Sequence, residues 1–205
     1  MRWQARLAAA VAPAMLGALV SAQQPGNAYF ASPTTHGAFL NGQPLLPGTA
    51  ILPGETVTTD ADGVVVLTPV GGTGGAIELA SGTSATVARF AGGGLTLNQG
   101  DALVVGPIAL RTPQGERLEP VSAGTSYVVN AAPQETRVGV LAGRLNTIAP
   151  GLNAARLQPL APGHALAIAG GGTLPMRFHA IAMNGVRQPP RDAAMPRVAV
   201  ASQSH

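Results

Sequence analysis

The sequence contains no cysteine and no lysine, and only 3% of its 205 residues are aromatic and 10% charged. Without cysteine there is no thiol nucleophile, disulfide, thiolate zinc site or lipidated N-terminal cysteine. A charged fraction far below the usual quarter argues against a highly charged disordered chain, a coiled coil and a surface covered with ion pairs. Scarce aromatics leave the core to aliphatic side chains. What is abundant is small and apolar: hydrophobic residues make up 46% of the chain, with 27 glycines and 18 prolines to supply turns. The length suits one domain of ordinary size with flanking segments, not two substantial domains.

A formal charge of +3 and an isoelectric point of about 10.6 invite a nucleic-acid or membrane-surface reading, which depends on where the arginines lie. Arg2 and Arg6 precede an uncharged run, Leu7 to Val20, that ends at Val20-Ser21-Ala22. That order of charge, apolar run and small residues is a secretory signal peptide over residues 1–22, cleaved after Ala22. As a helix the run reaches about 21 Å, short of the roughly 30 Å hydrocarbon layer, so no stable membrane insertion is expected after cleavage. A periplasmic or secreted location follows. Residues 184–205 hold Arg187, Arg191, Arg197 and Asp192, whereas residues 23–183 hold seven arginines against eight acids. The body of the mature chain is nearly neutral. The few aromatics from residue 37 onward, Phe39, Phe90, Tyr127 and Phe178, are not interleaved with an arginine cluster, and no nucleic-acid partner is expected. Any basic contact is expected from the three tail arginines on an anionic envelope surface.

Residues 23–36 read as a polar, turn-rich lead-in, with Tyr29 and Phe30 as its docking points. From residue 37 to 172, short runs rich in Val, Ile, Leu and Thr alternate with Gly, Pro, Asn and Asp punctuation. They include Glu55 to Thr59, Gly63 to Thr68, Ala85 to Phe90, Leu95 to Leu97, Ala102 to Val105 and Thr136 to Leu141. Such regular short strands predict an all-β roll or sandwich. Turn glycines from Gly54 to Gly163 recur at intervals of 18 to 28 residues, near the period of a β-solenoid, which is the alternative architecture. Residues 173–205 are expected to hold one short terminal element, a helix or last strand over Thr173 to Met183, and a disordered Arg- and Pro-containing tail.

Several stretches, in order, resemble the steps of an FecR domain. Leu40 to Leu67 resembles its opening: a short strand with an N-G turn, the run Gly48-Thr49-Ala50-Ile51-Leu52-Pro53-Gly54-Glu55-Thr56-Val57-Thr58-Thr59, a small turn and an apolar strand. Ile77 to Thr83 is similar to the next strand and serine-containing turn, and Leu95 to Leu103 to the "L, x, L, x, x, G" step. Ile108 to Pro113 and Ala123 to Val129 resemble the segment before and at the family's G-T-x-aromatic-x-V strand. Thr136 to Leu145 resembles its close, "V, x, V, x, x, G, x, V or L". The likeness spans about residues 37 to 170. It implies an FecR-type β-roll or β-sandwich with a non-catalytic interaction role. Well-known members of that family are envelope regulators with a cytoplasmic anti-sigma segment and a membrane helix. This sequence has a signal-peptide pattern in their place, so the fold and the interaction role carry over, not the signalling circuit.

Chemistry is sparse. Asp60-Ala61-Asp62-Gly63 has the start of a calcium loop, but Val64 to Leu67 follow where further oxygen ligands are needed, and an Asp-Gly hairpin turn accounts for the same letters. His36, His164, His179 and His205 show no metal-ligand spacing, and His36 stands before the first strand. Glycine runs at Gly71 to Gly75, Gly92 to Gly94 and Gly170 to Gly172 precede strands, not a helix with a lysine, so they are connections and not phosphate loops. Ser81, Ser84, Ser122 and Ser126 lie outside any G-x-S-x-G element. No catalytic, cofactor or metal residue is assigned, and the sequence names no binding residue. The expectation is an exported, non-enzymatic domain that binds an envelope protein or cell-wall component. A self-associating surface protein is the alternative, and an uncharacterised hydrolase the second.

Overall fold

The computed structural model describes residues 28–71, 74–89, 94–150 and 159–169, with the backbone of 172–177. The signal-peptide run, Phe90, Phe178, His179, His205 and the tail arginines lie outside them. The described chain is all β. Its strands are β1 (Tyr29–Ala31), β2 (His36–Leu40), β3 (Gln43–Pro44), β4 (Ala50–Ile51), β5 (Thr56–Pro69), β6 (Ala76–Leu79), β7 (Ser84–Val87) and β8 (Leu95–Val105). They continue with β9 (Leu110–Arg111), β10 (Arg117–Pro120), β11 (Ser126–Ala131), β12 (Glu135–Ala142), β13 (Leu145–Ile148), β14 (His164–Ala169) and β15 (Gly172–Arg177).

These strands form two layers joined into one continuous sheet. Sheet A runs β15-β14-β12-β11-β8-β6-β5-β1-β4. Sheet B runs β3-β2-β5-β7-β8-β9-β10-β13. Among the described pairings only β8 with β9 is parallel. Antiparallel neighbours exclude a solenoid of parallel coils and leave the roll or sandwich. Alternation places every second residue inward, as in Thr56-Val57-Thr58-Thr59, where Val57 is fully buried and Thr58 is not. The inward set is aliphatic, including Leu67, Ile77, Leu79, Leu97, Val104, Leu118, Val138, Val140 and Ile168, with Tyr29 and Tyr127 as its aromatics. Tyr127 Oη donates to the Ile108 carbonyl at 2.8 Å, so its burial leaves no orphaned hydroxyl.

The layers are joined because β5 and β8 belong to both. β5 pairs with β2 and β7 through Thr56 to Thr59, then with β1 and β6 through Val65 to Pro69. Between them Asp60 to Gly63 is not the Asp-Gly hairpin expected from sequence. The ladder steps from Ala38–Thr59 to His36–Val64, so four residues bulge opposite Gly37 and turn a single strand from one sheet to the other. A Cβ on Gly63 would collide with the Gly37 carbonyl. Likewise Leu95 to Leu97 and Ala102 to Val105 are one strand, bent at Gly100. That residue has φ +93, and a Cβ there would lie 2.6 Å from the Thr83 Cα. β6 and β7 make the same crossing through Ala80 to Thr83.

Buried threonine hydroxyls tie these crossings together. Thr59 Oγ1 donates to the Ala80 carbonyl at 2.5 Å and accepts from the Thr83 amide at 2.9 Å. Thr83 Oγ1 donates to the Asp101 carbonyl at 3.1 Å and accepts its amide at 3.0 Å. At the opposite edge the pattern recurs, with Thr125 Oγ1 donating to the Arg144 carbonyl at 3.1 Å beside Gly143. Two further details differ from the sequence reading. The segment taken as a lead-in contributes β1, with Tyr29 buried and Phe30 exposed, and His36 begins β2 instead of preceding the first strand. Over Thr173 to Met183 the described part is strand, β15, ending at Arg177.

Candidate interaction surface

No described group has the make-up of a catalytic or metal centre. His36 and His164 are both exposed and far apart in the ladder, each with Nδ1 bonded to a local carbonyl, Thr34 at 3.1 Å and Pro162 at 3.3 Å. Asp60 Oδ1 accepts the Asp62 amide at 3.2 Å, a local Asx contact inside the bulge. No three His, Cys, Asp or Glu side chains among the described residues converge on a common point. Ser81 and Ser122 sit in turns, Ser84 in β7 and Ser126 in β11. None of the four is hydrogen-bonded to a histidine among the described residues.

The outward face of sheet B is where polar side chains gather. β5, β7 and β8 each present two small polar residues at positions i and i+2: Thr56 and Thr58, Ser84 and Thr86, Thr96 and Asn98. Register sets them side by side, Thr56 opposite Thr86, Thr86 opposite Thr96 and Thr58 opposite Ser84. Thr56 Oγ1 and Thr86 Oγ1 are 2.9 Å apart, and Asn98 Nδ2 donates to Ser84 Oγ at 3.2 Å and Thr86 Oγ1 at 3.1 Å. These cross-strand bonds fix the rotamers and leave hydroxyl lone pairs and the Asn98 carbonyl facing outward.

The grid has unlike borders. On one side Phe39 of β2 is opposite Thr58, which puts the aromatic ring on this same face. On the other, Thr96 is followed by Arg111 and Arg117, directly opposite one another, with Arg117 Nη2 on Glu119 Oε1 at 2.7 Å. An aromatic edge, a neutral field of hydroxyls and amide, and a guanidinium edge suit a polar, hydroxyl-rich ligand without strong net charge. The alternation that produces the grid is visible in the sequence as T-x-T, S-x-T and T-x-N. Which of these lie side by side is not, because the ladder partners are 10 to 30 residues apart.

Titration behaviour marks the core and one place outside it. Burial pushes Tyr29 up to about 12, opposed in part by a backbone hydrogen bond from Gly94, and pushes Tyr127 well above the usual phenol range. On the outer face of sheet A, partial burial raises the Glu78 carboxyl. Arg137 Nε pairs with Glu135 Oε1 at 2.6 Å at the exposed rim of that face.

No protein-family model matches the chain, and no curated protein sequence does. Two crystal structures of a candidate anti-sigma factor from Parabacteroides distasonis align with it, each with a TM-score of 0.47, at 18% and 17% identity. The alignments cover 60% of this chain and 59% of those structures, so the chain spans about three fifths of their length.

Proposed function

We propose that this chain is an exported, non-catalytic FecR-like domain that binds a hydroxyl-rich cell-wall component through the outer face of sheet B. The signal-peptide pattern of residues 1–22 and the ordered FecR-like steps over residues 37–170 support the envelope setting. The observation that carries the ligand class is the grid of Thr56, Thr58, Ser84, Thr86, Thr96 and Asn98 beside Phe39. Its donors and acceptors are held in place before a ligand arrives, which lowers the ordering cost of binding. Sedimentation of the chain from Gln23 with purified peptidoglycan sacculi tests it. Retention by the sacculi is expected, and Thr86→Val with Asn98→Ala should weaken it roughly thirtyfold, the loss of two hydrogen bonds of about 1 kcal/mol each. Absence of retention, or equal retention of the double variant, would refute the reading.

A second reading, self-association, is favoured by three exposed apolar side chains at one edge of the roll, Val105, Val121 and Leu141. Register brings them near one another, since Val105 is opposite Ser126, Ser126 opposite Ala142, and the Val121 amide donates to the Arg144 carbonyl. Sizing over a hundredfold range of concentration separates the readings. A strict monomer throughout sinks the second.

A further inference from the structure

The polar face of sheet B has a direction. One straight row crosses it, Thr56 of β5, Thr86 of β7, Thr96 of β8, Arg111 of β9 and Arg117 of β10, each opposite the next. The alternation that turns Val57, Leu95, Leu110 and Leu118 into the core turns these five outward. Glu55 stands beside the β5 end of the row, its carboxylate accepting the Leu52 amide at 2.7 Å and Asn41 Nδ2 at 3.2 Å. The two guanidiniums stand at the other end, three and four ladder steps away, about 14 and 19 Å. Negative charge, three neutral hydroxyls and positive charge follow one another along a line.

Arg111 and Arg117 face one another across the ladder of β9 and β10, and each keeps part of its side chain exposed. Like charges directly opposite one another repel. An anion set beside both is attracted to both, and the planar fork of N–H donors on a guanidinium matches a carboxylate. Glu119 Oε1 holds Arg117 Nη2 at 2.7 Å, which fixes that guanidinium before a ligand arrives. Resting on the ligand reading above, we propose that Arg111 and Arg117 receive a carboxylate carried on the same sugar chain whose hydroxyls lie on Thr56, Thr86 and Thr96. The ligand is an acidic glycan, laid across the strands with its carboxylate over β9 and β10. Glu55 sets that direction, because it repels the same carboxylate at the β5 end. It also disfavours a polyanion, which would bring further negative charge against Glu55 and Glu119. A wholly neutral polymer would desolvate two guanidiniums and offer no charge in return.

The test uses peptidoglycan sacculi in two states, intact and with their carboxylates converted to amides by carbodiimide and ammonium, which removes the charge and leaves the sugar hydroxyls. Retention of the wild-type protein should be roughly tenfold weaker on the amidated sacculi. Arg111→Gln with Arg117→Gln should lower retention by a similar factor on intact sacculi and leave it within about twofold on amidated ones. Circular dichroism and the urea midpoint check that the variant folds. Equal wild-type retention on both preparations, or an equal loss on both from the double variant, would overturn the proposal. Two competitors locate the carboxylate. Peptide-free glycan strands, which carry it on the sugar, should displace the protein from intact sacculi, and displacement by free stem peptides instead would overturn the proposal. Thr86→Val with Asn98→Ala keeps the two readings apart. Weaker retention of that variant on both preparations, with equal wild-type retention on the two, would leave the hydroxyl grid standing and sink the arginine subsite, whereas retention on neither preparation would overturn both.

Discussion

Tyr127 and Thr83 show how single polar groups are made compatible with an aliphatic core. Tyr127 is fully buried, and its one hydroxyl is spent on the Ile108 carbonyl. Tyr127→Phe is expected to cost about 1 kcal/mol in urea unfolding, the net value of one buried hydrogen bond. Thr83 is tied twice to Asp101, as donor and acceptor. Replacing it by the isosteric valine leaves two backbone groups of Asp101 without that partner, so Thr83→Val should cost roughly 1–3 kcal/mol with an unchanged m-value. The two tyrosines also set a pH dependence. Because the folded protein keeps Tyr29 protonated up to about 12 while the unfolded chain loses that proton near 10, their stabilisation is complete below pH 10 and falls as pH rises toward 12. Tyr29→Phe should flatten that fall in unfolding midpoints taken between pH 9 and 12. A wild-type midpoint that did not move over this range would contradict the assignment.

At the scale of the element, the informative errors lie in β5 and β8. Gly with Asp or Asn between two apolar runs ordinarily signals a turn, and both breaks, Asp60 to Gly63 and Asn98 to Gly100, have such letters. A strand that bends from one sheet into the other needs the same residues, since a Cβ would strike the neighbouring backbone. Local sequence cannot separate a chain that reverses from one that bends, because the distinction lies in which distant strand supplies the next ladder partner. The corner glycine should therefore be intolerant. At Gly100, with φ +93 and the Thr83 backbone close by, Gly100→Ala is expected to cost roughly 1–3 kcal/mol or more. Gly82→Ala, with a similarly positive φ but open space around it, should cost less. Urea titrations of the two variants decide the order.

For the whole molecule, two strands shared between the sheets imply that neither sheet has a complete set of partners without the other. The protein should unfold as one cooperative unit. Leu118→Ala in sheet B, a fully buried position in the common cluster, is expected to cost roughly 2–5 kcal/mol. It should lower amide protection in β11 and β12 of sheet A by the same factor as in β10 of sheet B. Protection lost in sheet B alone would show two separable layers and contradict the shared-strand argument.

The amino-acid sequence determined the fold class, the aliphatic core and the inward or outward side of most strand residues. These follow from composition and a period of two, and both are local properties. It also excluded cysteine chemistry outright. Only the tertiary structure decided that β5 and β8 pass through their glycine breaks, that β1 belongs to the sheet, and that Thr58, Ser84 and Phe39 share a face. It likewise set Glu78 among Val66, Leu103 and Val128. Each of these depends on register between strands far apart in the chain, and register is chosen by the packing of the whole core, which no single segment records.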